Sequence, residues 1–274
     1  MAYKTILVHV DHSPQSADRI RIAAGIALAE NAHLIGTAMT GISRFLYEDH
    51  SILLNSRIEM LCERANQSLI DFEAIVKQIG VPSYEKRLIN DDPAEGLVLQ
   101  ARYSDLVVIS QKNFNEFDPS LVSNLPEYVT LQSVRPILIV PYEAQPSLLA
   151  NRILIAWDGS MSATRAISNA LPLLKRAQDV TIVVFNAVAQ LDVHGELPGA
   201  DIALYLARHG VKVDVLSQEN ETNIGSALMV LASDRGYDLV VMGGYGHARL
   251  REIILGGVTL TVLGQMSVPI LMSH

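Results

Sequence analysis

A chain of 274 residues, 49% hydrophobic and 18% charged, is long enough for one large domain or two ordinary ones and can bury a substantial core rather than stay disordered. Its formal net charge of -8, with no basic run, excludes a general nucleic-acid binder, because phosphate backbones are held mainly by Lys and Arg. No stretch reaches the ~18 uninterrupted apolar residues of a membrane span, and the apolar part of the opening MAYKTILVHVDHS is too short for a signal peptide. A soluble cytoplasmic protein with no nucleic-acid or membrane partner is expected.

In chain order, the first predicted strand is Ile6–Val10, and Ser13-Pro14 reads as an N-cap with proline at the first helical position. Ile20, Ala24, Ala27 and Leu28 then share one helical face. A strand at Leu34–Met39 leads to a long helix around Ser56–Ile79, which carries Cys62. One cysteine forms no internal disulfide, no Cys/His cluster has zinc spacing, and a buried structural thiol is expected. Strands at Leu106–Ser110 and Ile137–Val140 follow, then a linker with a proline at each end, Pro141 and Pro146. Beyond it come strands at Ile153–Trp157, Thr181–Asn186, Val211–Leu216, Leu239–Met242 and Pro269–Met272, with a short helix near Asp201–Arg208. These runs are nearly continuous in Val, Ile and Leu, which a parallel sheet covered on both faces requires.

The second series repeats the first. Ile6, Leu7, Asp11 and Ser13 match Ile153, Leu154, Asp158 and Ser160 at an offset of 147. Ser104-Asp105-Leu106-Val107-Val108-Ile109 answers Tyr237-Asp238-Leu239-Val240-Val241-Met242, and Arg135-Pro136-Ile137-Leu138 answers Val268-Pro269-Ile270-Leu271, both offset by 133. The second copy is therefore 14 residues shorter in its middle. Two doubly wound α/β domains are expected, at 1–143 and 150–274.

After the fourth strand of the second copy comes Met242-Gly243-Gly244-Tyr245-Gly246-His247, and nine residues beyond Gly246 stand Gly256-Gly257-Val258-Thr259, where a helix begins. Glycines permit positive φ and let backbone approach a ligand without a Cβ in the way. Loop amides and the N-terminus of the next helix make an anion site, with His247, Arg249 and Arg251 close in sequence. In an open parallel sheet the ligand sits at the carboxyl ends of the strands where their order reverses. Asp158 would line that crevice, where its carboxylate could accept hydrogen bonds from a ribose or base; capping the next helix or pairing with Ser160 is an equal reading. His247 reads as an exposed loop residue rather than a base, having no carboxylate partner beside it. Trp157 and His9 read as core.

The spacing G-2x-G-9x-G, the strand ending in Asp and the closing V-P-I-L strand resemble the universal stress protein family, over nearly the whole chain. That resemblance implies, for each half, an adenine nucleotide alpha hydrolase-like domain: a doubly wound five-stranded parallel sheet of order 3-2-1-4-5. It implies dimerisation along the last strand, made internally by the two halves of a tandem chain, with a further homodimer left open. It also implies ATP or another adenine nucleotide, with Mg2+ if a triphosphate is held, at Ala156, Asp158, Met242, Gly243, Gly246, His247, Gly256, Gly257, Val258 and Thr259. Gly257 departs from the pattern, since nucleotide-binding members carry Ser or Thr there; the lost hydroxyl removes a contact typically worth ~1 kcal/mol. The first copy departs wholly, with Ser110, Asn113, Ser123 and Asn124 in place of the glycines and Pro126 in place of Thr259.

No nucleophile elbow, Walker loop or H-E-x-x-H sequence occurs. The S-G-G-x-D-S loop of adenylating enzymes is replaced by Asp158-Gly159-Ser160-Met161-Ser162. A non-catalytic, nucleotide-responsive stress protein is expected, the rivals being an interaction module that binds no nucleotide and a slow ATPase.

Overall fold

The computed structural model describes residues 2–42, 52–112, 124–143, 150–187, 197–219, 223–245 and 257–274, with 52–57 described as backbone alone. The chain divides into two compact units, Ala2–Pro146 and Ser147–His274.

The first unit runs β1 (Thr5–His9), α1 (Ser16–Glu30), β2 (His33–Met39), α2 (Ile52–Ile79), β3 (Tyr84–Ile89), α3 (Pro93–Ala101), β4 (Leu106–Ser110), α4 (Leu125–Gln132) and β5 (Ile137–Val140). Its strands pair in parallel in the order β3-β2-β1-β4-β5. The second unit runs β6 (Arg152–Ala156), α5 (Met161–Leu174), β7 (Asp179–Phe185), α6 (Ala200–Arg208), β8 (Asp214–Gln218), α7 (Ile224–Asp234), β9 (Leu239–Gly243), α8 (Gly257–Gln265) and β10 (Ile270–Ser273). Its order, β8-β7-β6-β9-β10, is again parallel throughout. Each unit therefore has the expected 3-2-1-4-5 order, which reverses between β1 and β4 in one and between β6 and β9 in the other.

The central strands are apolar because both faces are covered. Ile6, Leu7, Val8, Val107, Val108 and Ile109 are fully buried, as are Ile153, Leu154, Ile155, Val240 and Val241. Gly36 on β2 is required by the same packing: a Cβ there would lie 2.6 Å from the Phe72 ring on α2. The repeated aspartates start the first strand of each unit. Asp105 accepts the Lys4 and Thr5 amides, and Asp238 accepts those of Asn151 and Arg152. Their recurrence has a structural cause.

Several local expectations need correction. Ser13 does not cap α1; its hydroxyl and amide both bond to Asp11 Oδ1, and the helix begins at Ser16. Leu28 is exposed, because α1 buries Ile22, Ala23 and Ile26 beside Ile20, Ala24 and Ala27. Cys62 and Trp157 are half-buried rather than core. Strand β3 had no apolar run to announce it, since this edge strand alternates half-buried and exposed residues. Val211 precedes β8 instead of opening it: Gly210 turns with φ 82°, and Val211 is buried where its amide bonds to Leu206 at the end of α6.

Candidate functional site

At the switch point of the second unit, β6 ends at Ala156 and the chain continues through half-buried Trp157 and Asp158. Asp158 Oδ1 accepts the Ser160 amide at 3.0 Å, a turn closed by the side chain itself. Ser160 then caps α5, its hydroxyl accepting the Ala163 amide at 3.1 Å. Ser162 Oγ lies 3.0 Å from Ser160 Oγ. This first turn of α5 rests directly on the end of β9. A Cβ on Gly243 would lie 2.5 Å from both the Ala163 nitrogen and Ser162 Oγ. The bareness of Gly243 is thus used by packing, and its φ is not positive.

Beyond Gly243 the chain is anchored at three points. The Gly244 amide donates to the Ser273 carbonyl on β10, and the Gly244 carbonyl lies 3.1 Å from His274 Nδ1. Tyr245 is buried in the left-handed conformation at φ 60°, its ring edge-on to His274. Its amide donates to Thr259 Oγ1 at 3.3 Å, so the Thr259 hydroxyl ties the start of the loop to α8. Thr259 is 3% exposed, a buried tether rather than a surface group. Val258 and Gly257 are exposed at the start of α8, and a Cβ on Gly257 would meet nothing within 4 Å. Gly246, His247, Arg249, Arg251 and Gly256 lie outside the described residues. Of the expected site, Ala156, Asp158, Met242, Gly243, Gly257, Val258 and Thr259 are described, at the carboxyl ends of β6 and β9 and the first turn of α8. Open space at Gly257 and the amino end of a nine-residue helix suit a phosphate. Among the described residues no group of three His, Cys, Asp or Glu side chains could hold a metal.

The first unit fills the equivalent place. Arg19 on α1 is 1% exposed, the largest of the fully buried side chains among the described residues. Its Nε donates to the His9 carbonyl at 2.7 Å, Nη1 to Ser110 Oγ at 2.7 Å, and Nη2 to Asp11 Oδ1 at 2.9 Å and Ser16 Oγ at 3.3 Å. One guanidinium therefore joins the ends of β1 and β4 to the start of α1. Burial by itself would raise the Asp11 carboxyl. The Arg19 and His9 charges and the hydrogen bonds from Ser13 and Arg19 outweigh it and hold the group well below the usual carboxylate range. Burial also pushes the His9 imidazole down to about 4, with Asp11 opposing and Arg19 assisting. His9 is thus neutral at pH 7, and its 3.5 Å approach to Asp11 is no ion pair there. Reading motifs alone missed Arg19. The detectable signal was the repeat: at the same offsets His9, Ser16, Arg19 and Ser110 stand where the second unit has Ala156, Ala163, Ala166 and Gly243.

The universal stress protein family matches residues 2–141 and 150–274. Universal stress protein Slr1230 of Synechocystis is 22% identical over 245 residues, covering 88% of this chain and 83% of its own. Universal stress protein MJ0577 of Methanocaldococcus jannaschii is 39% identical over 44 residues, covering 16% of this chain and 27% of its own. The crystal structure of a universal stress protein from Archaeoglobus fulgidus aligns with a TM-score of 0.74 at 18% identity, over 97% of this chain and 94% of that one. At that identity the likeness establishes the fold.

Proposed function

The chain belongs to the universal stress protein family, with two family domains in tandem, and from that premise we propose that it binds ATP or a related adenine nucleotide in its second unit without acting as an enzyme. One observation carries the reading: the spacing Gly243, Gly246, Gly256 is retained in the second copy and replaced by Ser110, Asn113 and Ser123 in the first. In this reading Ala156 and Asp158 face the ribose or base, and Met242, Gly243, Gly246 and His247 lead the backbone around the phosphates. Gly256, Gly257, Val258 and Thr259 bring the amino end of α8 to them, where free amides and the helix dipole favour an anion. A triphosphate would bring its own divalent ion.

Calorimetric titration with ATP tests this. The native chain is expected to bind, and Gly246→Val, which puts a branched side chain in the loop, to bind at least tenfold more weakly. Equal, barely measurable binding by both would sink the proposal.

A second reading has its own support. Gly243 is explained by the close seat of α5, and Gly257 lacks the hydroxyl of the family pattern, so both could persist in an interaction module that holds no nucleotide. Thermal melts across a panel of nucleotides separate the two, because a ligand that binds only the folded state raises Tm.

A further inference from the structure

The first unit places a buried guanidinium at its own switch point. Arg19 satisfies the carbonyl that ends β1, the hydroxyl that ends β4 and the carboxylate beyond β1. Such a group is expensive to bury unless its nitrogens find acceptors and its charge is paired; here each of the three nitrogens has a partner and Asp11 pairs the charge. Asp11, the counterpart of Asp158, keeps about a third of its side chain exposed (34%), but its Oδ1 already receives Arg19 and Ser13. Ser110 stands at the position of Gly243, and its hydroxyl is likewise taken up by Arg19. In the second unit the matching residues are Ala166 and Gly243, and α5 settles onto the strand end with Ser162 and the Ala163 nitrogen directly against Gly243.

We propose that Arg19 is an internal ligand that occupies the switch point of the first unit and closes it to nucleotide. The fork geometry of a guanidinium matters as well as its charge, because one planar group reaches a carbonyl, a hydroxyl and a carboxylate at once. Closure does not depend on the second unit binding anything.

Chemical rescue tests the socket. Arg19→Ala is expected to melt well below the native chain. Methylguanidinium, far below denaturing concentration, is expected to raise the melting temperature of the variant and leave the native chain unmoved. Methylammonium, a cation without the fork, should not substitute, and Arg19→Lys should recover only part of the loss. An Arg19→Ala chain as stable as the native one overturns the proposal, as does methylguanidinium acting equally on both. If Arg19→Ala does not fold alone, refolding it with and without methylguanidinium gives the same readout: recovery supports the socket, and failure to recover overturns it. Equilibrium dialysis with labelled ATP tests closure. The native chain is expected to take no more than one nucleotide, and the Gly246→Val chain essentially none at the same ATP concentration. Two nucleotides per native chain, or one retained undiminished by Gly246→Val, overturns closure. A native chain that takes none contradicts the second-unit proposal and leaves the rescue result standing.

Discussion

The switch points of the two units share a backbone plan and solve the same packing problem in opposite ways. In the first, α1 is joined to the sheet by Arg19, Ser16 and Ser110, a polar cluster buried between helix and strand ends. In the second, α5 starts at Met161, two residues earlier in the repeat, and its first turn sits against bare Gly243. A serine with the same ancestry explains part of the shift. Ser160 is free to cap α5 because Asp158 takes only its amide, whereas the Ser13 hydroxyl is bonded to Asp11, which also holds Arg19. Large polar side chains need mutual satisfaction to be buried; small ones need close contact. Each unit adopts one solution consistently, so residues are not interchangeable between them singly.

The largest expected break in this comparison is at Gly243. Gly243→Val forces a Cβ into the Ala163 nitrogen and Ser162, and backbone cannot yield as a side-chain tip can, so a loss of about 3 kcal/mol or more is expected. Urea unfolding followed by fluorescence of Trp157, the one tryptophan of the chain, reads the second unit selectively. Ser110→Ala in the first unit, read from hydrogen exchange of the β1 and β4 amides, should cost clearly less, about 1–2 kcal/mol, as it leaves one Arg19 donor unmet. Equal losses at the two positions would remove the contrast.

Acid separates the units next. His9 is held down to about 4 by burial, so the folded first unit disfavours its protonation. Its stability is complete above the ordinary histidine range near pH 6.5 and falls as the pH drops toward 4, on the order of 3 kcal/mol in all. The Asp11 carboxyl is also lowered, so its contribution is present above the usual aspartate range and is lost at still lower pH. The second unit has Ala156 at the position of His9. Hydrogen exchange of β1 and β4 amides should therefore quicken between pH 6.5 and 4 relative to β6 and β9, after correction for intrinsic rates, and His9→Gln should flatten the difference. Parallel behaviour of both sheets would contradict this.

Two smaller changes sharpen the second unit. Ser160→Ala removes the cap of α5 and should cost about 1 kcal/mol in the same urea experiment. Gly257→Ser meets open space and restores the hydroxyl of the family pattern, so ATP affinity should rise about fivefold, corresponding to about 1 kcal/mol. Unchanged affinity in a folded Gly257→Ser chain would argue that no phosphate reaches the start of α8.

Much of the architecture could be read from residue order, for a physical reason. Strands buried on both faces, such as Leu106–Ser110 and Ile137–Val140, must be apolar throughout, and the offsets 147 and 133 align one unit on the other. Strand β3 escaped notice because an edge strand with Lys86 and Arg87 carries no such run. Within the site, Asp158 and Ser160 stood out by their repetition. Arg19 did not, because a charged residue near a helix start ordinarily reads as a solvent face, and only its partners' positions, 10 and 91 residues away, make it a core group.

The sequence by itself determined two parallel α/β units, their 14-residue difference in length, and the survival of the glycine spacing in one of them. These follow from local rules of burial, periodicity and backbone freedom. Only the tertiary structure decided how the switch points are occupied: Arg19 joined to His9, Asp11, Ser16 and Ser110 in one, and the first turn of α5 seated on Gly243 in the other. That choice depends on distances between strand ends and helix starts far apart in the chain. Gly243, read in sequence as bare for the sake of a ligand, has a packing reason to be bare as well, because a helix lies against it.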